Sequence, residues 1–374
     1  MTSELKLIQE RSDRLRREII DNYIRQLKYA MRNANGSLNP VVWWKQHAGK
    51  VADALTDAQL YSVVLSDLTS RAQLALQGAP PPEVELNPYA LIGRNGGGGS
   101  LNNMFATPLL RVADAYDTAD DVMTVNAAWE QARNFLITAS ATAISDVSRT
   151  GTSVSLMTGN DTMYIRHINP PTCARCLVLA GKIAYKPTVG FKRHPRCDCS
   201  MVSVYNWSRR RNDPLYQSLY FDRETYFNSL SEHDQNLLLG KGNAQAVRDG
   251  ADMTQVVKAR SGMKTVEDKS GKKRRITTYG MTKRGISSKY MAAQFGTKYK
   301  KIPGSRYTRL PIARLTPHEI YKVADGDRNI ARVLLHKYGY ITNVDPNLKG
   351  LWGTKEQIEE MRHLYEVTGA RLLG

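Results

Sequence analysis

All four cysteines of this 374-residue chain lie between Cys173 and Cys199. Cys173 and Cys176 form a CxxC pair, and Cys197 and Cys199 form a CxC pair that follows His194 by three residues. A CxxC turn directs two sulfurs at one ion, and thiolates with imidazole are the usual ligands of tetrahedral Zn²⁺. The pattern therefore predicts a zinc site built from Cys173, Cys176, His194, Cys197 and Cys199.

Two ligand sets are compatible with this spacing. Four thiolates complete a tetrahedron, and so do Cys173, Cys176, His194 and one of the last two cysteines. In the first set His194 instead donates its ring N–H to a thiolate or a backbone carbonyl. Either set fills all four positions with protein ligands, which predicts a structural site without an activated water. Buried cysteines without a metal need no paired spacing, and no βαβ pattern supports a redox CxxC.

Positive charge is concentrated in one part of the chain, whose formal net charge is +18. Residues 258–314 hold 17 lysines or arginines and two acids, a net charge of +15, so the rest of the chain carries +3. Such an excess predicts contact with a polyanion, and interspersed tyrosines can stack on bases or bond to phosphate. Without a recognition-helix motif, any binding to nucleic acid should depend on salt and little on sequence. The alternatives are a solvated loop and an acidic protein surface as the partner. The expected contacts are Lys272, Lys273, Arg274, Arg275, Lys283, Arg284, Lys298, Lys300 and Lys301.

Hydrophobic periodicity places helices around these two features. Apolar residues recur every fourth position from Leu15 to Met31 and predict a helix over 4–33. A second helix is expected from 41 to 76, before the three prolines of "QGAPPPEVELNP". The stretch "GRNGGGGS" lacks the Gly-Lys-Ser/Thr ending of a phosphate-binding loop and is interpreted as a flexible linker.

A third helical pattern runs from 108 to about 148. This pattern places four aspartates near the beginning of the predicted helix, where acids complement the helix dipole. They are Asp114, Asp117, Asp120 and Asp121. The stretches "TSVSLMTG" and "TMYIRHI" then predict a short sheet around the cysteines.

After Trp207 the chain is expected to be largely helical and increasingly basic, with an exposed loop or hairpin rather than core at "KTVEDKSGKKRRITTYGMTKRG". The stretches Thr316–Glu319 and Thr354–Gln357 have the form of capping boxes, each of which predicts the start of a helix. Gly369 should end the helix that begins at Thr354–Gln357.

These patterns predict an α+β fold that is predominantly α-helical. Its parts are an N-terminal helical region (1–78), a Pro/Gly-rich linker (79–104), a central region (105–207) with a β-containing zinc-binding module (173–199), and a basic C-terminal extension (208–374). No signal-like or membrane-spanning apolar stretch occurs in the sequence, so we expect a soluble protein made in a reducing cytoplasm, where clustered cysteines are typically metal ligands.

The stretches "TCARCLVLAGKIAYKP" and "FKRHPRCDCSMV" resemble the signature of the Mu F-like (MuF) phage minor head, or head morphogenesis, proteins. The matching positions are Cys173, Cys176, Gly181, His194, Pro195, Cys197 and Cys199. The resemblance covers about 105–205, with a helix leading into the motif, and the rest is similar in character to long actinophage-type members. Where many members have a tryptophan and an aspartate before the first cysteine, this chain has "YIRHINPPTC".

The resemblance implies a non-enzymatic minor capsid protein of a tailed bacteriophage, located in the virion at the capsid interior or portal vertex. Its implied partners are the portal protein, other head proteins and packaged double-stranded DNA, with no membrane. The alternative is a zinc-stabilised nuclease or DNA-processing protein that uses His194, His167 and Asp161 to activate water. A processing protease and a C-terminal toxin fit less well, because neither a GxSxG motif nor paired carboxylates are found.

Overall fold

A computed structural model describes residues 2–180, 184–195, 197–301 and 306–342. The chain divides into two compact units, one formed by 1–172 and 179–222 and the other by 173–178 and the described part of 223–374. Each unit has its own hydrophobic core. The fold is α+β and mainly helical, as the sequence predicts.

Long helices form most of the first unit: α1 (Thr2–Ala30), α2 (Pro40–Leu76), α3 (Leu101–Thr118) and α4 (Val122–Met157). Their apolar faces meet around Trp43 and Trp129, whose rings contact edge to face with centroids 6.1 Å apart. The two indole N–H groups donate to the carbonyls of Ala30 and Leu38, so both tryptophans are buried without losing a hydrogen bond.

Local sequence sets the limits of α2 almost where they are predicted. The side chain of Asn39 accepts a hydrogen bond from the Val41 N–H at 2.8 Å, and Pro40 occupies the first helical position. The helix ends at Leu76, and Gly78 follows with a φ of +76°, ahead of the three prolines.

The single helix predicted from 108 to 148 is wrong, because the structure has a break between α3 and α4. Asp121 adopts extended backbone and caps α4, and its carboxylate accepts from the Thr124 N–H at 2.8 Å. Asp114 and Asp117 lie near the C-terminal end of α3 instead of at a helix start. A capping carboxylate requires non-helical backbone, so Asp121 separates the two helices.

The short sheet contains fewer residues than predicted. The "TSVSLM" stretch continues α4 to Met157, whereas "TMYIRH" forms β1 (Thr162–His167) as expected. β1 pairs antiparallel with β2 (Ser200–Tyr205), in a register that places His167 opposite Ser200. β2 therefore begins directly after Cys199.

Glutamines of α2 hydrogen-bond to the backbone of β2. Gln73 accepts from the Ser203 N–H at 2.9 Å, while Gln77 accepts from the Tyr205 N–H and donates to the Ser203 carbonyl, both at 2.9 Å. The Ser70 and Ser203 hydroxyls lie 2.8 Å apart. The side-chain amides thus make hydrogen bonds to the β2 backbone that a third strand would otherwise make.

The glycine-rich stretch at 93–100 is a defined turn rather than the expected flexible linker. Arg94 and Ser100 form a β-bridge, and Gln59 of α2 bonds to the Gly93 N–H and to the Arg94 carbonyl at 2.9 and 2.8 Å. Gly96 packs against the carboxylate of Asp146 so closely that any side chain there would clash. Glycine is needed here for close approach.

Shorter elements complete the two units. These are α5 (Ala174–Leu179), α6 (Trp207–Arg210), α7 (Pro214–Ser218), α8 (Arg223–Ser229), α9 (Glu232–Leu239), α10 (Lys241–Arg248), α11 (Met253–Ala259), β3 (Met263–Glu267), β4 (Lys273–Thr277), α12 (Ile286–Phe295), β5 (Lys300–Lys301), β6 (Thr308–Arg309), β7 (Arg314–Leu315), α13 (Pro317–Val323) and α14 (Arg328–Lys337). The strand orders are β3-β4-β7 and β5-β6, all antiparallel.

In the second unit, β3 and β4 form the hairpin expected from the sequence, but it is not wholly exposed, because Val266 and Ile276 are buried in the core of this unit. Thr316 caps α13 as the capping box predicts, since its side chain accepts from the Glu319 N–H at 3.4 Å. The second capping box at Thr354–Gln357 and the stop at Gly369 lie outside the described residues.

The boundaries between the units differ from the predicted regions. The predicted linker (79–104) lies within the first unit, and its last residues already belong to α3. The second unit takes up the chain at Arg223, after the predicted start at 208. In the part of the chain that the structure describes, no helix has the length and apolar character needed to cross a bilayer.

Candidate metal centre and basic surface

The first cysteine pair lies at the start of α5. The Cys176 N–H donates to the Cys173 sulfur at 3.3 Å, and the Leu177 N–H donates to the Cys173 carbonyl at 2.9 Å. These bonds close the tight turn that the CxxC spacing predicts. N–H donors to a sulfur favour its thiolate form, which is the form that binds a metal.

The second group of predicted ligands lies on the segment that enters β2. The Cys197 N–H donates to the His194 carbonyl at 3.1 Å, which forms a turn, and Cys199 directly precedes β2. His194 Nδ1 lies 2.7 Å from the Pro195 carbonyl oxygen. A carbonyl oxygen can only accept, so Nδ1 is the donor in this hydrogen bond.

The predicted ligand atoms converge as two groups of three that share Cys176. One group contains Cys173, Cys176 and His194, the other contains Cys176, Cys197 and Cys199, and the ligand atoms within each lie within 4.8 Å of one another. The four cysteines form no disulfide, and all but Cys173 are buried. Thiolate and imidazole donors suit Zn²⁺, so these residues form a possible metal-binding site. Gly181 of the motif lies outside the described residues.

Two arginines of the helices reach the CxC turn, and they were not recognised from the sequence. Arg149 of α4 donates to the carbonyls of Cys197 and Cys199, and Arg16 of α1 donates to Asp198. One local signal for Arg149 is present in the sequence. Asp146 and Arg149 are an isolated charged pair among small residues, whereas an exposed helix would carry more charge, so the pair indicates a buried ion pair. For Arg16 no local signal exists, since its partner is 182 positions away.

The residues of the nuclease alternative are not brought together. Asp161 precedes β1 and His167 ends it, so about 20 Å of extended strand separates them. His167 instead lies with its Nε2 3.6 Å from the carboxylate of Asp13. Burial lowers the pKa of His167 despite the attraction of Asp13, which favours the neutral imidazole.

The predicted DNA-contacting residues are exposed, with one exception. Lys273 and Arg275 alternate along β4 and are exposed, and Lys272 lies in the turn before that strand. The other exposed members are Lys283, Arg284, Lys298, Lys300 and Lys301. We call these eight residues the basic surface. Lys301 also donates to the Arg306 carbonyl at 3.1 Å.

Arg274, the exception, is held by two acids of its own unit. Its Nε lies 2.8 Å from the Asp268 carboxylate, and its Nη1 lies 3.5 Å from Glu319. A hydrogen bond from Ser270 and the contact with Arg274 lower the pKa of Asp268, which keeps the pair ionised. The unbroken run of four bases therefore presents three cations to solvent and one to the protein.

The tyrosines near the basic surface also differ in whether they face solvent or bond to other residues of the protein. Tyr279 and Tyr307 are about half exposed, at 50% and 46%. The Tyr290 hydroxyl accepts from Gln294 at 2.9 Å, and the Tyr299 hydroxyl bonds to Ser288 at 3.0 Å. Tyr279 and Tyr307 are therefore the tyrosines best placed to stack on a base.

Comparison with models of protein families, with curated proteins and with solved structures gave no match.

Proposed function

We propose that this chain is a non-enzymatic structural protein whose cysteine and histidine cluster binds Zn²⁺. The observation that carries the proposal is the convergence of Cys173, Cys176, His194, Cys197 and Cys199 around the shared Cys176. A zinc ion bound there would cross-link the turn at α5 to the entry of β2 and would stabilise both. Five candidate protein ligands exceed the four that a tetrahedral ion takes, so protein groups can fill every position.

The absence of a catalytic role is part of the proposal. A metal-dependent nuclease needs a water-activating histidine or carboxylate at an open coordination position. His167 is engaged with Asp13, and Asp161 lies at the other end of β1. This arrangement favours the structural hypothesis over the nuclease alternative.

We further propose that the protein works in the head of a tailed bacteriophage, as a minor capsid protein at the capsid interior or portal vertex. The support is the resemblance of residues 173–199 to the Mu F-like motif. The long helices α1, α2 and α4 offer the extended surfaces that docking to a portal protein or another head protein requires.

The basic surface then has packaged double-stranded DNA as its proposed partner. Lysine and arginine side chains in solvent neutralise phosphates and release counterions, which requires no base-specific geometry. The exposure of Lys273, Arg275 and their neighbours is consistent with such binding. Affinity for DNA should fall steeply with salt and vary little with sequence.

The first experiment measures zinc and particle association on the same tagged protein. Purified chain should contain one zinc per molecule by mass spectrometry of the metal, and should lose it in Cys176→Ser. Capture from phage-producing cells should bring down portal and capsid proteins. Zinc-free wild-type protein would contradict the metal site, whereas host DNA-processing proteins without particle association would contradict the head role.

A further inference from the structure

We propose that Arg149 and Arg16 are positioning residues, which hold the backbone of the turn at Cys197, Asp198 and Cys199 so that both thiols face the metal. This inference rests on the proposed zinc site.

Arg149 binds the carbonyls of both cysteines. Its Nη2 donates to Cys197 O at 2.5 Å and to Cys199 O at 2.9 Å, and its Nε donates to Cys199 O at 3.0 Å. The side chain is buried, and Nη1 bonds to Asp146 at 2.9 Å. Asp146 also pairs with Arg193 at 2.6 Å, next to His194. One buried carboxylate therefore orients two arginines that flank the metal ligands.

Arg16 binds the residue between the cysteines. Its Nη2 donates to the Asp198 backbone and carboxylate oxygens, each at 2.8 Å, and lies 3.2 Å from Asp13. Asn169 adds a bond to the same Asp198 carbonyl at 3.0 Å. All three carbonyls of the turn thus accept from side chains of other elements, just before β2 begins.

A guanidinium is suited to this task because it is planar and presents several donors in a fixed arrangement. Arg149 spans carbonyls two residues apart, which a single lysine ammonium does less rigidly. Its positive charge also lies beside Cys197 and Cys199, and a site with three or four thiolates carries net negative charge when zinc is bound. The arginine therefore fixes the ligands and offsets part of their charge.

Metal binding should in turn stabilise the helix that carries Arg16. The first half of α1 buries the polar residues Gln9, Asp13 and Arg16 in addition to Leu5, whereas the second half buries Tyr23 and Leu27. The contacts with the CxC turn and with its neighbour Ser200 come from residues 9–17: Gln9 donates to Ser200 at 2.9 Å, and Arg16 and Arg17 lie against Asp198. Removal of zinc should loosen the turn and then the polar half of α1.

The test compares zinc affinity in Arg149→Lys, Arg149→Met and a matched control, Arg133→Lys. Arg133 lies on the same helix and also donates to two backbone carbonyls, those of Met31 and Ala34, both at 3.1 Å. Competition with a chromophoric chelator should show a 10–100-fold loss of affinity for the Arg149 variants, the range typical of residues that orient metal ligands. The control should match wild type. Absorption of the Co²⁺-substituted protein should change only in the Arg149 variants.

Equal zinc affinity and equal Co²⁺ spectra for Arg149→Lys and wild type would overturn the inference while leaving the zinc site intact. Equal losses in Arg133→Lys would also overturn it, because the effect would then be general destabilisation. If wild type bound no zinc, the proposed metal site would fail and this inference with it.

A second measurement needs no variant and covers the case in which the Arg149 variants do not fold. Hydrogen exchange of the wild-type chain is compared with and without a chelator. Amides of residues 9–16 should exchange faster after metal removal, while those of 20–28 in the same helix should change little. Equal changes in both halves would contradict the coupling through Arg16.

Discussion

The first unit buries charged side chains around the CxC turn, whereas the basic surface of the second unit leaves its charges in solvent. Arg149 and Arg16 are each about 96–98% buried and bind named oxygens, while Lys273 and Arg275 are exposed. A buried charge must have partners at fixed positions because desolvation is costly. An exposed cation contributes to the binding of a polyanion through the local density of positive charge. Substitutions in the first region should therefore depend on residue type, and substitutions in the second on the number of charges removed.

The second unit contains a buried arginine of a different kind. Arg314 is fully buried in the apolar core, donates to the Tyr279 carbonyl at 3.1 Å and lies 4.5 Å from the Tyr340 ring centroid. Among the described residues, its Nε and Nη1 have no hydrogen-bond partner, which is also true of these two nitrogens in Arg16, but the Nη2 of Arg16 lies beside the carboxylates of Asp13 and Asp198. Arg149 has a carboxylate and two carbonyls where Arg314 has one carbonyl and a ring. Burial alone therefore does not show that an arginine stabilises the fold.

The largest effect is expected from Cys176→Ser, because Cys176 belongs to both groups of ligands. Loss of zinc should cost several kcal/mol, since structural zinc contributes of the order of 10 kcal/mol of binding free energy to folding. The melting temperature should fall by about 10 °C or more. Zinc content and thermal melting test this. Cys173→Ser, which affects one group, should cost less; full zinc occupancy in Cys176→Ser would contradict the site.

The next largest effect separates the two buried arginines. Arg149→Met should cost about 3–5 kcal/mol, because Asp146 and two cysteine carbonyls lose a buried donor. Arg314→Met should range from neutral to about 2 kcal/mol more stable, since a buried charge without an acid partner is removed. Urea unfolding, resolved by hydrogen exchange in each unit, measures both. Equal losses of unfolding free energy in Arg149→Met and Arg314→Met would show that the two buried arginines do not differ in their contribution to stability.

A smaller effect is expected from pH at Lys337. Burial lowers the pKa of Lys337 to about 8, below the value of about 10.4 in an unfolded chain. Between these values the unfolded state binds more protons, so this residue makes stability rise as pH increases from 8 to 10. At pH 7, Lys337→Met should be more stable than wild type by of the order of 2 kcal/mol, and the difference should disappear near pH 10.

Urea unfolding at pH 7, 8.5 and 10 tests the Lys337 prediction. Lys322→Met, at an exposed position of α13, is the control and should show no pH-dependent difference from wild type. Parallel pH curves for Lys337→Met and wild type would mean that Lys337 keeps its ordinary pKa in the folded protein.

The smallest effect on stability is expected on the basic surface. Lys273→Gln with Arg275→Gln should change the free energy of unfolding by less than about 0.5 kcal/mol. It should reduce the slope of log affinity against log salt by about 1.8 if each side chain contacts one phosphate. DNA binding measured across a salt series tests this, with Lys45→Gln and Lys50→Gln on α2 as a control of equal charge.

Arg274→Gln sharpens the same comparison within a single strand. It removes one positive charge next to Lys273 and Arg275, but its partners are Asp268 and Glu319. It should therefore lower stability and leave the salt slope unchanged. A slope reduced by as much as for a basic-surface residue would show that Arg274 releases its acids and contacts DNA.

Local patterns predicted much of the helical framework. Asn39 and Pro40 define the start of α2, and Thr316 with Pro317 defines that of α13, because these caps bond to residues two or three positions away. The break at Asp121 was missed, since an aspartate is compatible with both a first helical turn and a cap. The "TSVSLM" stretch was assigned to a strand because its β-branched residues have strand propensity, which packing of α4 overrides.

Spacing and residue type by themselves determined which side chains can bind a metal and where the positive charge lies. Tertiary structure alone decided how these groups are held. Hydropathy marks Gln9, Arg16 and Gln73 as solvent-facing, yet they are buried against β2 and the turn before it. Their partners in β2 and in this turn lie more than 100 positions away, so no local pattern predicts these contacts. A polar side chain becomes part of a core only when distant backbone groups need its hydrogen bonds, and the packing of α1, α2 and α4 creates that need.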